Sequence, residues 1–164
     1  MLGFHRLSSS LLYELQKKMP ELLEQVLVVD FNVHLHDKIA ALGPTTRYGD
    51  LANAETLHHA GVDRARVVLI AVQDDVLKGT SNLRLVNDIR HINPNAVIIA
   101  NAIELPQSQE LYDAGADYVY MSRVDSAQGL MEPIVSALDG YIDEYRVTRE
   151  NCDGKWHERD EVIP

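Results

Sequence analysis

The chain has 164 residues and a formal charge of −10, with 46% hydrophobic and 24% charged residues. That length suits one domain around one core. The acidic balance speaks against a nucleic-acid surface, which needs clustered cations, and against simple electrostatic docking on anionic lipid.

The single cysteine, Cys152, leaves no intrachain disulfide and no cysteine zinc cluster, and fits a reducing, cytoplasmic setting. The longest strongly apolar run is "VVLIAV" (67–72). It suits a buried strand and is far too short to span a bilayer, so any membrane contact must come through another domain or chain.

"LGFHRLSSSLLYELQKK" begins at residue 2. It reads as a glycine turn followed by a helix over 7–18, with Leu7, Leu11, Leu12 and Leu15 on one face. Only Met1 and Leu2 remain of the strand that should feed the turn. "QVLVVD" (25–30) reads as a buried strand ending in an acid. Leu35, Ile39 and Leu42 suggest a helix closed by Gly43 and Pro44. A short strand over 45–50 follows, then a short helix over 53–61.

"RVVLIAV" (66–72) is the most apolar strand. Helical spacing over 78–95 places Leu83, Val86, Ile89 and Ile92 on one face. "AVIIAN" (96–101) is a strand, 108–117 a helix ending at Gly115, and "YVYM" (118–121) a short strand. A long helix is expected over 128–145, followed by a polar tail over 146–164.

Strands and helices therefore alternate, and the strands are continuously apolar. Such strands are buried on both faces, which predicts an α/β fold: a Rossmann-like, doubly wound parallel sheet with its first strand truncated. Ligands of such sheets bind beyond the carboxyl ends of the strands.

The candidate site begins at the turn. A dinucleotide fingerprint needs glycines for the tight turn, for close approach to the pyrophosphate and for helix–strand contact. Here those positions read Gly3, His5 and Ser8. The first is kept, the third is small, and the second carries an imidazole. Asp30 ends the next strand, where a carboxylate would accept ribose hydroxyls. A Rossmann-like domain that has lost its ligand fits the same residues.

Gly49 and Asp50 follow the third strand, where backbone would line an adenine pocket; capping of a helix at 51–60 would also explain Asp50. "AVQDD" (71–75) follows the fourth strand, near the expected ribose. No catalytic site is evident. There is no G-x-S-x-G elbow and no P-loop. No histidine pair has metal spacing with a nearby acid, so no metal is expected.

Two blocks are similar to a known family. "YGDLANAETLHHAGVDRARVVLIAVQDD" and "LKGTSNLRLVNDIRHINPNAVIIANA" resemble KTN domains (TrkA-N, or RCK N-terminal), and "LYDAGADYVYMSR" resembles their sixth-strand signature. "LKGTSN" is closest to the domains attached to Kef-type cation:proton antiporters. The resemblance covers roughly 3–145, which sets the expected domain at 1–145.

The resemblance implies a cytoplasmic regulatory domain at the inner face of the membrane, not an enzyme. Such domains bind NAD(H), AMP, ADP or ATP, dimerise, and gate a membrane channel or antiporter. The family's phosphate turn falls on Gly3, His5, Arg6, Leu7 and Ser8. Its ribose acid falls on Asp30, and its adenine-side contacts on Asn32, Asp50 and Leu51. The loop after the fourth strand falls on Ala71, Val72 and Asp74.

The family's basic residue near the phosphates is replaced by Asn101 and Ala102. AMP asks less of a turn carrying His5 than NAD does, so AMP or another adenine nucleotide is the first expectation and NAD(H) the second. The helix at 128–145 matches the family's crossover helix and implies a homodimer. The short first strand suggests part of a longer antiporter polypeptide carrying the membrane domain. The alternatives are a dimerisation module without nucleotide and, last, a small NAD-dependent oxidoreductase.

Overall fold

The structure is a computed structural model that describes residues 1–163. It divides into two compact units: 1–120 with 161–163, and 121–160.

The first unit is a parallel sheet with helices, and the apolar runs form its strands. Strand β1 (Leu27–Asp30) pairs with β2 (Thr45–Tyr48), Leu27 opposite Thr45 and Asp30 opposite Tyr48. Strand β3 (Val67–Leu69) pairs with β4 (Val97–Asn101), and β4 with β5 (Tyr118–Tyr120). Leu2 joins the two sets, bridging in parallel to Val29 on one side and Ile70 on the other.

The truncated first strand is thus reduced to a single ladder residue with full backbone pairing. Leu2 N–H donates to Leu69 (2.7 Å) and Gly3 N–H to Val29 (2.9 Å); Val29 N–H donates to Met1 (3.0 Å) and Ala71 N–H to Leu2 (3.0 Å). The Leu2 side chain is fully buried, worth about 2 kcal/mol in removed apolar surface. The resulting order is β2-β1-Leu2-β3-β4-β5.

Helix α1 (Arg6–Lys18) closes with Lys17 and Lys18 in its last turn, where cations suit the helix dipole. Helices α2 (His36–Ala40), α3 (Ala54–Ala60), α4 (Asn82–Ile92) and α5 (Leu105–Asp113) follow. Their buried residues, among them Leu12, Ile39, Leu57, Leu85, Ile89 and Leu111, form the core with Val28, Val68, Ile70 and Ile98. Several boundaries differ from the sequence reading. Gln25 belongs to a 3-10 turn, and Pro106 stands in the first turn of α5, where its missing N–H costs nothing, so that helix starts earlier.

The second unit holds α6 (Ser122–Gly129), α7 (Met131–Leu138) and α8 (Ile142–Asp153). The stretch 128–145, read as one helix, is divided among these three. Pro133 lacks the N–H that would bond the Gly129 carbonyl. Gly140 (φ 83°) ends α7 in a Schellman turn, with Tyr141 N–H donating to Ser136 (2.7 Å) and Gly140 N–H to Ala137 (3.2 Å). The expected tail contains most of α8, and 161–163 belong to the first unit.

Candidate functional site

The carboxyl ends of the parallel strands gather most of the candidate residues. Gly3 turns the chain between Leu2 and α1 with φ 78°. A Cβ there would come within 2.2 Å of Val72 Cγ1, so both conformation and space require glycine. The turn then enters α1 with His5 as N-cap. Its ring is exposed and makes no cap hydrogen bond, and no acid occupies the first turn. The first N–H groups of α1 therefore keep the positive helix end undischarged by a cap.

Arg6 and Leu7 are exposed in that turn, while Ser8 is buried and donates to the Gly3 carbonyl (3.1 Å). The small third position of the fingerprint thus ties the helix to its own turn.

Asp30 organises the neighbouring strand ends. Its Oδ2 accepts from Phe4 N–H and its Oδ1 from Asn32 N–H, each at 2.7 Å. Its carbonyl accepts from Gly49 N–H (3.3 Å) and pairs with His36 Nε2 (3.2 Å). The residue is only 5% exposed. Each carboxylate oxygen keeps a second lone pair for a ribose hydroxyl. Asp30 is thus already the clasp between β1 and the glycine turn.

Asn32 turns its Oδ1 to His34 N–H (3.2 Å). Asp50 is exposed and its Oδ1 accepts from Ala52 N–H (2.9 Å). It caps no helix. Helix α3 starts later and is capped by Asn53, which accepts from Glu55 N–H at 2.9 Å and Thr56 N–H at 3.4 Å. Leu51 is buried beside this loop.

Ala71 and Val72 are buried where β3 runs out. Asp74 is engaged by the protein through both oxygens, by Asn82 N–H (2.5 Å) and by the Gln107 amide.

Asn82, which the sequence reading did not single out, joins this loop to Asn101. Its fully buried side chain donates from Nδ2 to the Val72 carbonyl (3.1 Å) and to the Asn101 carbonyl (3.0 Å). Those two acceptors fix the amide orientation and leave Asn82 Oδ1 without a donor; Asn101 Oδ1 and Thr80 Oγ1 are buried in the same condition. A buried acceptor without a donor costs about 1–3 kcal/mol, a cost this corner carries within the fold. The "TSN" segment before a helix was the available signal for it.

The arrangement joins an uncapped helix N-terminus, a glycine passage and a strand-terminal carboxylate. These elements suit a nucleotide: N–H groups for phosphate and a carboxylate for ribose. Among the described residues no group of three or more His, Cys, Asp or Glu is placed to hold a metal. No helix among them is long and apolar enough to cross a membrane.

Comparison with known proteins agrees with this architecture. An uncharacterized protein from Methanothermus fervidus is 26% identical over 142 residues, covering 83% of this chain and 21% of its own length. The chain thus spans about a fifth of that relative.

Among solved structures, the TrkA-N domain of inner membrane protein ybaL from Escherichia coli aligns with TM-score 0.63 at 22% identity, covering 80% of this chain and 92% of that one. The GsuK RCK domain aligns with TM-score 0.55 at 26% identity, covering 72% and 24%. The GsuK channel bound to NAD (21% identity, 72% and 20% covered) and GsuK bound to ADP (23%, 73% and 30%) each align with TM-score 0.55. The TrkA-N domain model matches residues 1–122, nearly the whole first unit and well over half of the sequence, and the chain belongs to the TrkA-N domain family.

Proposed function

We propose that this chain is a cytoplasmic, nucleotide-binding regulatory domain of a potassium or cation transport system, with an antiporter as the preferred membrane partner. The observation that carries the proposal is the clasp at Asp30: a strand-terminal carboxylate holds the Gly3–Phe4 turn beside the uncapped start of α1. Family membership and the NAD- and ADP-bound states of GsuK support the same reading.

AMP or another adenine nucleotide is the first ligand, and NAD(H) the second. The exposed His5 ring crowds a pyrophosphate more than a single phosphate, and Asn101 offers no cation at the end of β4. The proposed dimer forms through α6–α8, and ligand acts by favouring one dimer arrangement. It can shift transport only by its differential affinity for the two states.

Thermal unfolding with AMP, ADP, ATP, NAD and NADH is the test. A ligand that binds only the folded state at about 100 times its Kd adds about 2.7 kcal/mol of stability. The proposal expects at least one nucleotide to raise Tm, with AMP ahead of NAD. If none does so at millimolar concentration, the second reading takes over: a dimerisation module without nucleotide. The low exposure of Asp30 is the observation on the side of that alternative.

A further inference from the structure

Among the described residues of the first unit, two large hydrophobic side chains stand furthest into solvent: Phe31 at 69% exposure and Tyr48 at 66%. Both belong to one corner, the carboxyl end of the β1–β2 pair. Phe31 follows Asp30 in the chain, and Tyr48 is the register partner of Asp30 on β2. The candidate ribose acid thus has an aromatic residue next to it along its own strand and another across on the neighbouring one.

The two rings differ in what their exposure means. Tyrosine carries a hydroxyl that water satisfies, so an exposed Tyr48 is ordinary. Phenylalanine has no polar atom, and the chain's other one, Phe4, is buried in the core. A single exposed apolar residue is not by itself a signal. The backbone that carries Phe31 sets it apart.

That backbone is held on both sides. Asp30 Oδ1 accepts from Asn32 N–H at 2.7 Å, closing a turn around Phe31. Asn32 Oδ1 in turn accepts from His34 N–H at 3.2 Å. The Asp30 carbonyl accepts from Gly49 N–H at 3.3 Å, which ties the turn to the end of β2 through a residue without a side chain. A phenyl ring is therefore displayed on a fixed turn, its Cα about 3.8 Å from that of Asp30. The residues that the family resemblance put beside adenine serve the loops themselves. Asn32 Oδ1 and Asp50 Oδ1 hold backbone N–H groups, and Leu51 is buried. An exposed ring on a rigid turn stacks well on a heterocyclic base, because every base has a π-face.

We propose that Phe31 is the stacking surface for the base of the ligand, so that the site selects a base-bearing nucleotide over a sugar phosphate. This role rests on the proposed nucleotide site at Asp30 and adds the base to what that site recognises.

Calorimetric titration of the full chain with AMP, NAD and ribose 5-phosphate tests the proposal. The native chain should bind AMP or NAD at least about tenfold more tightly than ribose 5-phosphate, within the range of one stacked base. Phe31→Ala should weaken that nucleotide at least about fivefold and change ribose 5-phosphate by less than about twofold. Phe31→Trp should restore the affinity. Tm without ligand should stay within about 2 °C in both variants, since the ring is mostly exposed, so a lost affinity is not a lost fold.

Nucleotide affinity unchanged in Phe31→Ala overturns the stacking role and leaves the nucleotide reading standing; a change in sedimentation in that same variant would assign the ring to a protein contact instead. Equal losses for nucleotide and ribose 5-phosphate also overturn it, because they place the effect in the turn rather than at the base. A native chain that binds no nucleotide removes both readings together.

Discussion

At the scale of single residues, the structural role of Asp30 must be separated from its proposed role toward ligand. Its carboxylate holds Phe4 N–H and Asn32 N–H, so removing it also loosens the turn. Asp30→Ala leaves a buried N–H without an acceptor, and chemical denaturation should record a loss of about 1–3 kcal/mol before any nucleotide is added. Loss of ligand response in that variant therefore does not by itself prove a ribose contact. Asp30→Asn is the sharper probe: one amide oxygen keeps one of the two bonds, so stability should fall less while nucleotide affinity still drops. Gly3 offers a second check. Gly3→Ala should be strongly destabilising, and adding Val72→Ala should recover part of the loss by removing the methyl met at 2.2 Å, leaving the cost of φ 78°. Both residues were legible in the sequence, because a glycine turn and a strand-end acid obey local rules. Asn82 was not, since its importance comes from two carbonyls on different strands that converge only in the fold. Capping of a helix at 51–60 was one of two readings of Asp50, and Asn53 caps α3 instead, because either residue satisfies the same short-range pattern.

At the scale of elements, the sheet was legible because continuous apolar runs leave little choice but a buried parallel strand. Leu2 was legible only as the remnant of a strand before the glycine turn, since one ladder residue carries no period of its own. The link between α4 and β5 depends on Arg90, which donates to the carbonyls of Pro94 (2.7 Å), Ala96 (2.9 Å) and Gly115 (2.5 Å) and to Asp117 Oδ2 (2.9 Å). Arg90→Ala should cost about 2 kcal/mol in denaturation, from charge-assisted bonds left unmade. The Ile98 N–H, opposed in part by desolvation and aided by Arg90, holds the Asp117 carboxyl below its ordinary 3.8. A lowered carboxyl pKa stabilises the folded state above the unfolded value, and that contribution disappears as pH falls from about 3.8 through the folded value. The stability gap between the native chain and Asp117→Ala should therefore be widest near neutral pH and narrow below 3.8 in acid titrations. Helix division in 128–145 escaped the sequence reading because the apolar spacing continues through Gly140. Gly140→Ala meets nothing within 4 Å, so its cost is conformational alone, about 1 kcal/mol.

At the scale of the molecule, the second unit exposes an apolar surface that its own helices do not cover. None of α6, α7 or α8 contains a buried residue. Leu130, Met131, Ile134, Val135, Leu138 and Tyr141 are all exposed, Leu138 by 82%. Isolated exposed leucines are ordinary, but a run of them along consecutive helices marks an interaction surface. The helical spacing was legible in the sequence; whether it met a partner or the chain's own sheet was not, because periodicity records an apolar stripe and not what lies against it. With a second copy as partner, the contact would be isologous, and each substitution would act twice. Ile134→Glu combined with Leu138→Glu would then remove about 6 kcal/mol or more of association free energy, from apolar burial alone. Sedimentation should show the native chain as a dimer at micromolar concentration and the double variant as a monomer. The double variant should retain the nucleotide-induced rise in Tm, because Asp30 and the Gly3 turn both lie in the first unit. A native chain that sediments as a monomer at tens of micromolar would remove the dimer from the proposed mechanism, and ligand would then have to act on a membrane partner directly.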